Sequence, residues 1–128
     1  MARPKSAKAR KQRKYVRFAP LHIRRKLIAA HLSDELRKQY GARALPIRKG
    51  DEVTVMRGKF RKKSGKVTRI NTGKYRVYVE GAVIKRTDGT ERQAGLHASN
   101  LLVTKLALDD KRRAASLEKH KPAAKKVK

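Results

Sequence analysis

The chain has 128 residues, which suits one domain, and its 38% hydrophobic share leaves room only for a small core. Lys and Arg number 37 against 10 Asp and Glu, a formal charge of +27 and a pI near 11.3, so the compact state repels itself unless a polyanion screens it. The absence of cysteine excludes disulfides, thiolate metal sites and thiol nucleophiles, and no stretch approaches the roughly 18 consecutive apolar residues that span a bilayer.

Residues 1–19 form a basic arm. Arg3, Lys5, Lys8, Arg10, Lys11, Arg13, Lys14 and Arg17 stand there with no acidic residue and almost nothing apolar, so the arm cannot bury enough surface to fold alone. A single-sign run of this kind repels itself until phosphates neutralise it, which assigns it to nucleic acid. The opening MARPKSAKARKQRK lacks the apolar core of a secretory signal, and the chain reads as cytosolic.

Residues 20–45 read as a short helical segment. Pro20 suits a first turn, and Leu21, Ile23, Leu27 and Ile28 form an apolar side beside Arg24, Arg25 and Lys26. One face would pack on the following barrel while the side carrying Arg24, Arg25 and Lys26 lies along RNA. A second helix starts at Ser33, a hydroxyl cap followed by Asp34 and Glu35 at the positive end of the dipole, and stops at Gly41. Pro46 then turns the chain into extended structure.

Residues 46–106 read as β. EVTVM (52–56), KVTRI (66–70) and RVYVE (76–80) alternate apolar with polar residues, and Val83-Ile84 and Leu101-Leu102-Val103 supply further strands. Gly73 serves one turn, and Asp88-Gly89 a hairpin joining IKRT to TERQ. Short strands at this spacing predict a small closed barrel, because closure removes exposed edges. The fold class is therefore mainly β, with short N-terminal helices and basic extensions at both ends. The C-terminal extension, 107–128, holds Leu108 and Leu117 for a helical turn or two from Asp109, and its closing AAKKVK is a second basic tail.

The charged positions that stand out are Arg57, Lys59, Arg61, Lys62, Lys63 and Lys66: six cations in ten residues, with no acid among them. Gly50-Asp51 makes a tight turn into a strand, Val53 and Val55 share a face, and Gly58 and Gly65 let the loop between them double back. Arg48 and Lys49 sit at the strand's start. Phe60 at the loop tip is a base-stacking candidate, while Tyr15 and Phe18 would anchor the arm in an RNA groove and Tyr75 and Tyr78 serve packing. His22, His31, His97 and His120 lack metal-ligand spacing, so no metal is expected, and His97 shapes a turn or touches RNA. Asp51-Glu52 and Asp109-Asp110 are adjacent carboxylates that tend to point apart and make no catalytic pair.

The stretch from Ile47 through Phe60 and on from Ser64 to Ile70 resembles the KOW motif, which implies an SH3-like barrel. APLHIRRKLIAAHLS, LRKQYGARALPIRKGDEV, KYRVYVEG and GLHASNLLVTKL extend the likeness over roughly residues 15 to 112. Together they are similar to the archaeal and eukaryotic ribosomal proteins equivalent to bacterial large-subunit protein twenty-four, called twenty-six in eukaryotes. One departure stands in the loop, where that family commonly has Lys-Gly and this chain has Arg61-Lys62. The resemblance implies binding near the 5′ region of large-subunit ribosomal RNA, an early role in subunit assembly, and a place close to the nascent-chain tunnel exit. Neighbouring ribosomal proteins would be the other partners, with no membrane, small-molecule substrate, cofactor or homo-oligomer.

The rRNA-facing set expected on this reading is Arg10, Lys11, Arg13, Lys14, Arg17, His22, Arg24, Arg25, Arg48, Lys49, Arg57, Lys59, Phe60, Arg61, Lys62, Lys63, Lys66 and His97. Other classes predict different behaviour. A transcription-elongation KOW module expects a preceding mixed α/β domain, which the tail and short helices cannot supply. A charge-driven RNA chaperone predicts little selectivity and no stable fold. A membrane-surface peptide needs a long amphipathic helix that only residues 20–30 approach, and no Ser–His–Asp context, Walker loop or ligand cluster supports an enzyme.

Overall fold

The computed structural model describes residues 3–120. Four helices, α1 (Ala9–Phe18), α2 (Leu21–Leu27), α3 (Asp34–Tyr40) and α4 (Lys111–His120), surround seven strands: β1 (Ala29–Leu32), β2 (Ala44–Pro46), β3 (Glu52–Val55), β4 (Ser64–Asn71), β5 (Arg76–Lys85), β6 (Glu91–Leu96) and β7 (Leu101–Lys105). The strands lie in the order β2-β1-β7-β3-β4-β5-β6. All pairings are antiparallel except β1 with β7.

The alternation read from the sequence places the core. Val53, Val55, Val67, Val77, Val79, Leu101 and Val103 are each at most 2% exposed, with Leu32 beside them, and β-branched side chains dominate because they fit a half-buried pleated surface. Val83 and Ile84 belong to β5 itself, which continues past Gly81 (φ +78) and pairs with β6 through the expected hairpin. There Gly89 takes φ +82 and the Arg86 amide bonds to the Thr90 carbonyl at 2.9 Å. In the β4–β5 turn the left-handed residue is Tyr75 (φ 52) rather than Gly73.

Three expectations are corrected. The sheet does not close into a barrel: its order runs from β2 to β6, and those ends are not paired with each other. Residues 20–40 are not wholly helical, because Ala29–Leu32 is a strand that buries Ala30 and Leu32 and runs parallel to β7. Leu21 and Leu27, placed on the apolar side of the first helix, are 53% and 42% exposed, since α2 ends after two turns and Ile28 alone reaches the core.

The basic arm, expected not to fold alone, contains α1, and this helix is held by the rest of the chain. Tyr15 is buried, the Tyr75 hydroxyl donates to the Val16 carbonyl at 2.7 Å, and the Arg24 guanidinium donates to the carbonyls of Arg17 and Ala19, both at 2.7 Å. These donors satisfy carbonyls that a helix end leaves unpaired, and they place a cation at the negative end of the dipole.

The second helix behaves as expected. The Ser33 hydroxyl accepts from the Leu36 amide, and Gly41 closes α3 in the left-handed conformation at φ 64. At the C-terminus Leu117 is buried and Leu108 is 43% exposed, and α4 is longer than the expected turn or two. The predicted AAKKVK tail lies outside the described residues.

Candidate nucleic-acid interface

The β3–β4 connection is built from backbone bonds that hold it clear of the sheet. The Val55 amide donates to Lys63 and the Lys62 amide donates back to Val55, both at 2.8 Å, which closes the base of the loop. Gly58 takes φ +94 at the first bend. The other bend is made by Lys62 at φ 70, a left-handed conformation that favours glycine. Gly65, expected to serve the same reversal, has a different function. A Cβ there would lie 2.6 Å from the Glu80 carbonyl oxygen, so glycine lets β4 and β5 approach closely.

Arg57, Lys59, Arg61, Lys62, Lys63 and Lys66 are all exposed, and among the described residues none forms a salt bridge. The stacking expectation for Phe60 is corrected: it is 7% exposed and packs in the core cluster, with the Lys63 ammonium 5.4 Å from its ring centroid. The loop thus has an apolar root and a cationic outer surface.

On α1, Arg10, Arg13, Lys14 and Arg17 fall at i, i+3, i+4 and i+7, one exposed stripe, with Lys11 also exposed. Phe18 is 60% exposed beside Arg17, whereas Tyr15 is buried against the protein instead of being free to anchor in a groove. His22 and Arg25 are exposed. The Arg24 guanidinium is committed to the Arg17 and Ala19 carbonyls at the end of α1 and lies 6.0 Å from the Tyr75 ring centroid.

Lys49 is exposed, and its neighbour Arg48 is ion-paired with Asp110. That bond, with the Arg112 amide donating to the same carboxylate, holds the Asp110 pKa below its ordinary value. His97 shapes a turn: its Nδ1 lies 2.8 Å from the Ser99 hydroxyl and accepts from the Ser99 amide at the start of a 3-10 turn, Ala98–Asn100.

The largest departure from the sequence reading is at Asp51. It is fully buried, and its carboxylate receives both Nη atoms of Arg113 at 2.6 and 2.8 Å, plus the amides of Arg48 at 2.8 Å and Ala107 at 2.9 Å. Arg113 also donates to the carbonyls of Ala107 and Pro46, which fastens α4 to the turn that starts β3. Adjacent Glu52 points away and pairs with Lys105 at 3.2 Å, so the expected divergence of the two carboxylates holds.

Between the end of α2, the β2–β3 connection and the β4–β5 turn lies a cleft of about 630 Å³, lined by Ile28, Ile47 and Ile70 and flanked by Arg25, Lys26 and Lys49. Among the described residues no group of three or more His, Cys, Asp or Glu is placed to hold a metal ion, and no helix is long and apolar enough to cross a membrane.

Comparison with known proteins agrees with the resemblance. A family model described as the eukaryotic ribosomal proteins L26 and their archaeal L24 counterparts matches residues 6–120. The large ribosomal subunit protein uL24 of Saccharolobus solfataricus is 47% identical over 116 residues, 91% of this chain and 98% of that protein. Its counterpart in Korarchaeum cryptofilum is 46% identical over 115 residues, 90% and 88% of the two chains, and that of Methanosphaera stadtmanae 43% over 114 residues, 89% and 97%. The chain belongs to this family of large-subunit ribosomal proteins, which joins eukaryotic L26 to the archaeal L24 type.

Proposed function

We propose that this chain is a structural, non-enzymatic constituent of the large ribosomal subunit that holds the 5′ region of its ribosomal RNA, acting early in assembly and lying near the nascent-chain tunnel exit in the cytoplasmic ribosome. The observation that carries the reading is the 57–66 loop, where six exposed cations have no carboxylate partner among the described residues. The curled β3–β5 unit beneath it is read as the KOW element of an SH3-like fold whose ends stay open.

The mechanism is electrostatic. Each Lys or Arg that meets a phosphate releases condensed counterions, so affinity falls steeply as salt rises. The loop and the α1 stripe position the protein on the backbone. Such contacts carry no sequence information, and selectivity comes from RNA shape and unpaired bases. Arg10, Lys11, Arg13, Lys14, Arg17, Arg25, Lys49, Arg57, Lys59, Arg61, Lys62, Lys63 and Lys66 are the proposed phosphate contacts. Arg24 and Phe60 support them from within the fold, and Arg48 through an exposed ion pair with Asp110.

The test is binding of the full chain to a 5′ fragment of large-subunit ribosomal RNA and to an unrelated structured RNA of equal length, with salt titrated to the physiological range. A clear advantage for the ribosomal fragment at physiological salt is the expected result. Equal binding that is lost in parallel would instead favour a charge-driven RNA chaperone.

A further inference from the structure

The cleft beside α2 joins an aliphatic floor, which the phosphate contacts do not use, to a cationic rim that shares Arg25 and Lys49 with them. Ile28 and Ile47 are core residues whose surfaces reach the cleft, and Ile70 completes the floor from β4. Arg25, Lys26 and Lys49 stand exposed at its edge, and among the described residues no carboxylate pairs with them. Arg48, on the same lining, is already committed to Asp110.

A pocket of about 630 Å³ falls within the roughly 300–1,000 Å³ typical of sites that enclose a small ligand. A free apolar ligand would make no use of the rim, and an inorganic anion would make no use of the floor. An unpaired nucleotide uses both, because its flat base needs an apolar surface while the phosphates on either side of it need cations.

Resting on the ribosomal RNA reading above, we propose that this cleft receives one extruded, unpaired nucleotide of the bound RNA. Its base packs on Ile28, Ile47 and Ile70, and its flanking phosphates meet Arg25, Lys26 and Lys49. The loop at 57–66 then supplies affinity, and the cleft supplies selection of RNA that can present an unpaired base.

Isoleucine methyl NMR of the full chain tests this directly, because Ile84 lies on the far part of β5 and serves as an internal reference. On titration with the 5′ ribosomal RNA fragment, the Ile28, Ile47 and Ile70 methyls should move through the ring current of a base while Ile84 stays in place. Charge reversal at the exposed pair, Lys26→Glu with Lys49→Glu, should weaken those shifts and lower affinity at least about tenfold. If the ribosomal fragment binds selectively but the three methyls do not move, the cleft proposal is overturned and the ribosomal RNA reading stands. Failure of selective binding overturns that reading, and the cleft proposal falls with it. Equal methyl shifts with an oligophosphate that carries no bases would also overturn the cleft proposal.

Discussion

The 57–66 loop and the Asp51–Arg113 junction use the same side-chain chemistry to opposite ends. In the loop, six exposed cations form no ion pair among the described residues. At the junction, a guanidinium that is 7% exposed meets a carboxylate that is fully buried, and it also donates to the carbonyls of Ala107 and Pro46. Arg113 is structural because the sequence supplies it with one of its scarce acids, whereas the loop cations, given none, are left for a polyanion. The ten acidic residues are therefore as informative as the thirty-seven basic ones.

The most damaging way to break the contrast is to remove the buried acid. Asp51→Asn keeps the shape but leaves Arg113 as an uncompensated buried charge, which costs roughly 3–5 kcal/mol. Against a typical total stability of about 5–15 kcal/mol this is a large fraction. Urea denaturation should show a marked drop in midpoint, with α4 released first because Arg113 fastens it to the turn at Asp51 and the Pro46 carbonyl. An unchanged midpoint would mean that α4 docks through Leu117 without the pair.

The complementary change strips the loop. Replacing Arg57, Lys59 and Lys66 by Ala should leave stability within about 0.5 kcal/mol, as for other surface substitutions. It should flatten the dependence of log affinity on log salt by about 2 to 3, since each lost phosphate contact removes roughly 0.7–0.9. A lowered melting temperature with an unchanged salt slope would reverse the assignment of the two regions.

A smaller effect sharpens the contrast inside the loop itself. Lys62 holds φ 70, a conformation in which a side chain is strained by roughly 1–2 kcal/mol. Lys62→Gly relieves that strain but adds roughly 0.4–1 kcal/mol of freedom to the unfolded chain. The net expectation is stabilisation of about 0.5–1 kcal/mol by denaturant titration, accompanied by weaker RNA binding. Here a cation has been kept at a position where the backbone favours glycine.

Much of this was legible in the sequence for a physical reason: strands with Val at every second position have one low-energy way to face a core, and Val53, Val55, Val67, Val77 and Val79 all took it. Ser33 and Gly41 were equally readable, because capping is local. β1 was not, since Ala-Ala-His-Leu has weak strand preference and follows a helix directly. Its insertion beside β7 also leaves the sheet open where closure had been expected. The burial of Asp51 and Phe60 depends on partners brought in from elsewhere, and Arg113 lies 62 positions away, beyond the reach of any local pattern. The loop's charge was visible at once, whereas the cleft needed α2 and β4 to be placed side by side.

The smallest expected effect separates an exposed ion pair from the buried one. Asp110 bonds Arg48 through a side chain that is 38% exposed, and its pKa is lowered first by that bond and then by the Arg112 amide. A carboxylate with a lowered folded-state pKa stabilises the protein above its unfolded value, near 3.8, and loses that contribution as pH falls through the folded value. Asp110→Asn keeps an acceptor for the Arg112 amide and removes the charge together with the oxygen that accepts from Arg48. The variant should therefore melt slightly below the parent at neutral pH, and the gap should shrink as the solution is acidified below 3.8. Added salt at neutral pH should shrink the same gap, because water screens this pair, whereas the deficit of Asp51→Asn should resist salt. If the Asp110 gap survives both acid and salt, then Arg48 is held by packing rather than by charge, and it rejoins Lys49 as a cation free to meet phosphate.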